Sequence, residues 1–180
     1  MTGCDGGRDL DMILGRKELK ERMHSSPPLV ENMVDPERQI GPNGVDLTLE
    51  KVEIFETPGT IDFDHSRRII SECSELPFDE SGRLQLKPGA YKITFNEIIN
   101  LPDDLTAIAR TRSTLLRCGA SIETALWDAG YRGRGISMLV VHNKNGVAVE
   151  KNARLLQLIF LPLSSPTDAP YKGVYYGENV

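Results

Sequence analysis

The stretch from Ala109 to Gly135, ARTRSTLLRCGASIETALWDAGYRGRG, gathers the side chains best suited to chemistry. Arg112, Ser113, Thr114 and Arg117 stand close together, and Asp128 follows in WDAGYRG. Guanidinium groups and hydroxyls are good ligands for phosphate oxygens. A lone carboxylate beside a bound phosphate can take a proton from an attacking water. The combination points to hydrolysis of a phosphate ester or anhydride. Three more features belong with it. Asp46 enters a strand after the turn GPNG, Gln157 interrupts the apolar run NARLLQLIF, and the tail PYKGVYYGEN interleaves tyrosines with glycine and lysine. A buried amide such as that of Gln157 needs a hydrogen-bond partner, since leaving it unpaired costs ~1–3 kcal/mol. Each feature also has a plain structural reading: a strand-start Asp, a positive strand edge, an Asp closing its own turn, a satisfied core Gln, a frayed terminus.

The framework that must hold these residues is mainly β. Residues 1–11 read as a flexible extension. GRKELKERM places Leu19 and Met23 four residues apart with charges between them, a short amphipathic helix that SSPP stops. VENMVDPERQIGPNG is rich in turn residues. From Val45 the apolar positions recur with period two, first in VDLTLEKVEIF and then in GRLQLKPGAYKITFNEII. The polar stretch from Glu56 to Gly82 predicts loops with one short strand. A third β-rich block runs from LTAIART to LIFLPL, and its Asn145-Gly146 pair predicts a hairpin with positive φ at both residues. The strand reading extends through Arg112 and Ser113, which then cannot both face a core. The three glycines around Tyr131 and Arg132 predict a turn where another segment approaches closely. The expected class is a jelly-roll-like or distorted β-barrel with a short N-terminal helix, one domain over residues 12–163, and a tail over 164–180 that can serve as a lid.

Composition excludes several classes. A net charge of -5 argues against coating a nucleic-acid polymer. The three scattered cysteines form no CxxC pair, so neither a zinc knuckle nor a disulfide framework is expected, and a reducing cytoplasm is the simplest location. The apolar run LLQLIFLPL is too short to span a membrane, so no membrane partner is expected.

In order and combination these motifs resemble the deoxyuridine triphosphatase and deoxycytidine triphosphate deaminase superfamily. MILGRKELKERM and QIGPNGVDLTL look like the start of its deaminase-like branch, which also holds archaeal triphosphatases. RSTLLRCG is similar to the family's phosphate motif, with Thr114 in place of a second Ser. DAGYRG resembles the motif bearing the catalytic Asp of the triphosphatases, ARLLQLIF resembles the Arg-x-x-Gln-Leu motif, and YKGVYYG resembles the tail that closes over the nucleotide. The resemblance runs from about Met12 to the C-terminus. It implies a dUTPase-type barrel, a homotrimer with sites between subunits, and Mg²⁺ as cofactor with dUTP as substrate. Asp128 would be the catalytic group and would also hold the deoxyribose 3′-hydroxyl. Arg112, Ser113, Thr114, Arg117 and Gln157 would grip phosphate, and Asp46 would stand in the outer shell of the metal. Thr124, Ala125 and Tyr131 are candidates for nucleoside contacts, and Tyr171, Lys172, Tyr175 and Tyr176 for the lid.

The branch holds deaminases, triphosphatases and bifunctional enzymes, so chemistry has to choose between them. The zinc route of deamination needs H-x-E and P-C-x-x-C, which the chain lacks. The zinc-free deaminases of the resembled family use a Glu on the strand after the DAG turn. Counted from Asp128 that position is Met138, and ISMLVV contains no carboxylate. Glu123 is the nearest other acid and matches no motif. The expectation is a dUTP diphosphatase. The alternatives are a dCTP deaminase or bifunctional enzyme, and a nucleotide-binding regulator without catalysis.

Overall fold

Val45 opens an eleven-residue strand whose odd-numbered residues Val45, Leu47 and Leu49 are buried in the core, and the rest of the fold assembles around it. The computed structural model describes residues 12–180, so the extension expected at residues 1–11 lies outside the described residues. In chain order the elements are α1 (Arg16–Arg22), β1 (Val30–Glu31), α2 (Pro36–Gln39), β2 (Val45–Phe55), β3 (Cys73–Glu75), β4 (Arg83–Leu86), β5 (Gly89–Phe95) and β6 (Ile98–Asn100). They continue with β7 (Leu105–Thr111), α3 (Ser113–Arg117), β8 (Ala120–Glu123), β9 (Arg132–Gly133), β10 (Ile136–Val141), β11 (Val147–Glu150) and β12 (Arg154–Pro162).

The main sheet has the order β7-β12-β2-β5-β10-β8, with β3 added on β2. Its two outer strands curl towards each other. The backbones of Ala107 and Trp127 exchange hydrogen bonds of 3.0 and 3.1 Å, and the Thr111 hydroxyl accepts from Ile122 N at 2.9 Å. These contacts nearly close the sheet into a barrel and leave little free edge. Smaller sheets, β1-β6-β9 and β11-β4, cover the rest. Phe95, Phe160, Leu139, Leu156 and Leu158 are fully buried inside; each such side chain contributes about 1.5–3 kcal/mol on leaving water. The mainly β, barrel-like architecture matches the expectation, and α1 forms where the Leu19–Met23 spacing predicts it, with Leu19 fully buried.

Four local readings need correction. Arg112 and Ser113 do not lie in a strand. β7 ends at Thr111, Arg112 is the extended N-cap residue, and STLLR makes one helical turn that buries Leu115. Leu and Arg are good helix formers, and the single buried leucine seats the turn. Asn145-Gly146 turns the chain but makes no hairpin, because β10 pairs with β5 and β8 while β11 pairs with β4. Only Gly146 has positive φ, and the turn is closed by Asn143, whose carbonyl takes Gly146 N at 2.8 Å and whose side chain takes Asn145 N at 3.0 Å. GRLQLKPGAYKITFNEII divides into β4, β5 and β6, with Pro88 between the first two because it cannot donate to a ladder. Within VENMVDPERQIGPNG, Pro36–Gln39 form a short helix: the Asp35 side chain caps Arg38 N at 3.2 Å and Pro36 stands at the first helical turn.

Between Glu56 and Gly82 the chain is loop with one strand, β3, as its composition predicts. An isolated bridge between Thr60 and Ile69 makes the first part a small arm, and Ile61 and Phe63 at its tip are almost wholly exposed.

Candidate active site

The sequence places Asp46 one residue into β2, and the structure surrounds it with arginines. Its Oδ2 lies 3.1 Å from Nε of Arg112 and 3.3 Å from Nη1 of Arg154. Arg112 sits at the β7–α3 junction, donates Nη1 to the Arg154 carbonyl at 3.1 Å and gives its backbone N–H to Leu155 O at 3.0 Å. Arg154 reaches the Arg38 carbonyl at 2.6 Å. The Asp46 carboxyl is 6% exposed. Burial pushes its pKa above the ordinary aspartate value, and the charges of Arg112 and Arg154 pull the other way.

Gln157 lies directly across from Asp46 on one side and Arg110 on the other. Residues paired in this way share a face of the sheet, so Asp46, Gln157 and Arg110 form one row. Gln157 is half-buried rather than sealed in the core, with Gly41 and Gly44 close against its side chain. Ser113, Thr114 and Arg117 are exposed on α3, and Arg117 donates to the Ser113 carbonyl at 3.0 Å. Arg112 and Thr114 line a cavity of about 360 Å³ together with Arg83, Arg154 and Cys118. Motif reading missed Arg83 and Arg110. Only the strand register, which a single sequence does not print, sets Arg110 beside Gln157.

Asp128 belongs to a different cavity. This one is about 240 Å³ and is lined by Ala125, Trp127, Asp128, Tyr131 and Ile136, with Tyr171, Tyr175 and Glu178 from the tail. Asp128 is exposed, and its carbonyl takes Tyr131 N at 3.1 Å to close the turn. Thr124, Lys172 and Tyr176 do not line either of these cavities. Within one chain, therefore, the structure groups Arg112 with Thr114 and groups Asp128 with Ala125 and Tyr131, but it does not bring the two groups into one cavity.

The tail is tied to the chain's own body. Tyr171 N donates to Ala129 O at 2.8 Å, Gly177 N to Arg132 O at 2.7 Å, and Arg134 N to Glu178 O at 3.1 Å. The Tyr171 ring packs edge-on against Tyr131 at 5.7 Å, and Arg68 of the small arm lies 5.8 Å above the Tyr175 ring. These contacts depart from the plain reading of the tail as a frayed terminus. The glycine-rich turn after Asp128 explains it. Gly130 has φ +85°, and a Cβ there would stand 2.6 Å from Pro170, so the close approach predicted at this turn is made by the tail itself.

On β10 the Met138 position is half-exposed and directly opposite Glu123 on β8 and Lys92 on β5. β10 itself carries no carboxylate, yet Glu123 shares the face of Met138. Glu123 accepts from the Ser121 hydroxyl at 3.2 Å.

Among the described residues no group of three or more His, Cys, Asp or Glu could hold a metal ion. Asp46 already faces two guanidiniums. The described residues thus offer no carboxylate cage for Mg²⁺, an ion that keeps several of its waters and takes few protein ligands. No described helix is long and apolar enough to cross a membrane.

The family model described as dCTP deaminase-like matches residues 13–163, most of the chain. The chain belongs to the dCTP deaminase-like family. Its relatives include the probable deoxyuridine 5′-triphosphate nucleotidohydrolase of Methanococcoides burtonii, 49% identical over 93% of this chain and 99% of that one. The protein of the same description from Archaeoglobus fulgidus is 49% identical over 84% of this chain and 89% of that one. Among solved structures, the 2′-deoxycytidine 5′-triphosphate deaminase of Agrobacterium tumefaciens superposes with a TM-score of 0.62 at 21% identity. That match covers 84% of this chain and 48% of the deaminase, and it establishes a shared fold.

The tail contacts give a pH-dependent expectation. Tyr131 donates its hydroxyl to Glu178 Oε1 at 3.2 Å. Burial, ahead of any other cause, raises the Glu178 pKa in the docked tail; the Tyr131 hydroxyl donor and, after it, the charge of Lys92 oppose the rise. A raised value in the docked state means that docking is strongest below the ordinary glutamate pKa and weakens as pH rises through the docked value. Glu178→Gln keeps the acceptor and removes the charge. Amide protection of residues 171–177, corrected for intrinsic exchange, should exceed that of the unmodified protein at neutral pH and equal it in acid. Equal protection at every pH would refute the assignment.

Proposed function

We propose that the protein hydrolyses dUTP to dUMP and pyrophosphate by water attack on the α-phosphorus. The observation that carries this reading is the arginine pair poised on Asp46, in a chain whose relatives at 49% identity bear the name of this activity. Arg112, Ser113, Thr114, Arg117 and Gln157 hold the phosphate oxygens, joined by Arg154, and their charge-assisted hydrogen bonds offset the charge that builds on the leaving pyrophosphate. Asp128 takes the proton of the attacking water and anchors the deoxyribose 3′-hydroxyl. Tyr131, Thr124 and Ala125 border the nucleoside. Mg²⁺ bound to the triphosphate would neutralise charge on its oxygens. The contacts of Asp46 favour a role in aiming Arg112 and Arg154 over one in the outer shell of the metal.

Asp128→Asn keeps the shape and removes the base. Pyrophosphate release from dUTP should fall by ~10²–10⁴-fold, and near-normal turnover would sink the role given to Asp128. The second reading, dCTP deamination, is favoured by one observation: Glu123 stands across from Met138. Deamination needs a carboxylate that can move protons at the base, and β10 supplies none, so ammonia release from dCTP should be absent in the same assay. Release that Glu123→Gln abolishes would establish the second reading.

The two separate cavities and the exposed apolar side chains Ile61, Phe63, Leu116 and Leu126 support a homotrimer whose sites combine Asp128 of one subunit with the arginine pair of another. Light scattering should give three chains per particle. A fully active monomer would overturn this arrangement.

The tail acts as a lid over the Asp128 cavity, with Tyr171, Lys172, Tyr175 and Tyr176 closing on the nucleotide and excluding water. Truncation after Pro170 should leave a folded oligomer with a large loss in kcat/KM for dUTP. Undiminished hydrolysis would leave the tail as packing alone.

A further inference from the structure

Glu97 is a carboxylate with no solvent exposure, set in the short bend between β5 and β6. Its Oε1 accepts from Gln39 Nε2 at 2.7 Å and from Thr48 Oγ1 at 2.5 Å, and its Oε2 accepts from Thr48 N at 2.8 Å. Burial pushes its pKa up, and the donors from Thr48 and Gln39 pull it back; no lysine or arginine contributes. A carboxyl buried without a cation is expensive unless every lone pair is used. Here the donors that use them belong to α2 and β2, the two segments that the arginine pair contacts through the Arg38 carbonyl and the Asp46 carboxylate.

Thr48 follows Asp46 by two residues on β2, so both side chains lie on one face. Thr48 is also directly across from Arg154 in the β2–β12 register. Gln39 donates to the Asp46 carbonyl at 2.8 Å, and its own Oε1 takes Asp35 N at 2.8 Å. The neighbouring Arg38 carbonyl receives Arg154 Nη1. Glu97 therefore clamps the strand position that bears Asp46 and the short helix that takes Arg154.

We propose that Glu97 is a positioning residue for the triphosphate grip, acting through Thr48 and Gln39 on Asp46, Arg112 and Arg154 without touching substrate. The inference rests on the dUTP diphosphatase reading and adds a residue to it. Glu97→Gln replaces one acceptor with a donor, which then faces the Thr48 N–H or the Gln39 amide. The clamp loosens while the volume stays constant.

The test is kinetic, on the full-length protein. Glu97→Gln should raise KM for dUTP about tenfold with kcat changed much less, since the loss falls on phosphate binding. Binding of deoxyuridine, which has no phosphate, should not change. In an Asp46→Asn background the same substitution should add less than about a twofold effect, because the arginines are already released. Should Glu97→Gln fail to fold, Thr48→Val removes the hydroxyl link to Glu97, together with the bond that Thr48 Oγ1 accepts from Asn96 Nδ2 at 2.8 Å, and should show the same split between KM and kcat. A purely structural Glu97 gives a lowered Tm with unchanged KM in the folded variant, or an effect that multiplies with that of Asp46→Asn. Either result overturns the proposal while dUTP hydrolysis by the unmodified protein still stands. Failure of the unmodified protein to hydrolyse dUTP defeats the reading beneath it, and the inference falls with it.

Discussion

A carboxylate that is nearly sealed from water needs either positive charge or a full set of donors, and at Asp46 two guanidiniums meet that need from separate parts of the chain. Arg112 comes from the end of β7 and Arg154 from the start of β12, while Asp46 itself sits on β2. The ion pairs hold together three neighbouring strands at the point where their order matters. Removing one partner of such a group leaves an uncompensated buried charge, which costs several times more than an exposed pair returns. The same demand holds the guanidiniums in fixed positions, so less of their side-chain entropy is left to lose to any further contact.

The sheet does the rest of the positioning. Antiparallel pairing from β7 to β8 and the contacts between Ala107 and Trp127 bend the barrel so that the turn bearing Asp128 and the helix bearing Ser113 lie on different surfaces. Within one chain the two groups of polar side chains thus stay in separate cavities. On the polar face of β2, Thr48 joins Glu97 and Gln39 in a buried group of hydrogen bonds.

Much of this was legible in the sequence. The period-two runs announced the strands, the Leu19–Met23 spacing announced α1, and the residue types around Arg112 and Asp128 announced phosphate chemistry. What stayed hidden depends on partners far apart in sequence. The destinations of β10 and β11 made Asn145-Gly146 a plain turn, because a dipeptide fixes local direction but not which strand pairs with which. STLLR became helical because one leucine found a buried seat next to β8. Glu97 looked like an ordinary acid at a strand end; its burial follows from Gln39 and Thr48, which lie 58 and 49 residues away. The tail showed no period because tyrosines, glycines and backbone hydrogen bonds hold it in place, and none of these leaves a periodic trace.

The anchors of the tail, Ala129, Arg132 and Arg134, belong to the same chain as the cavity the tail covers. Seating of the tail is therefore a first-order event. Its equilibrium does not depend on how concentrated the protein is, and dilution leaves it untouched. A segment borrowed from another molecule would obey a different law and come free as the protein is diluted, whereas this tail keeps its place at any concentration.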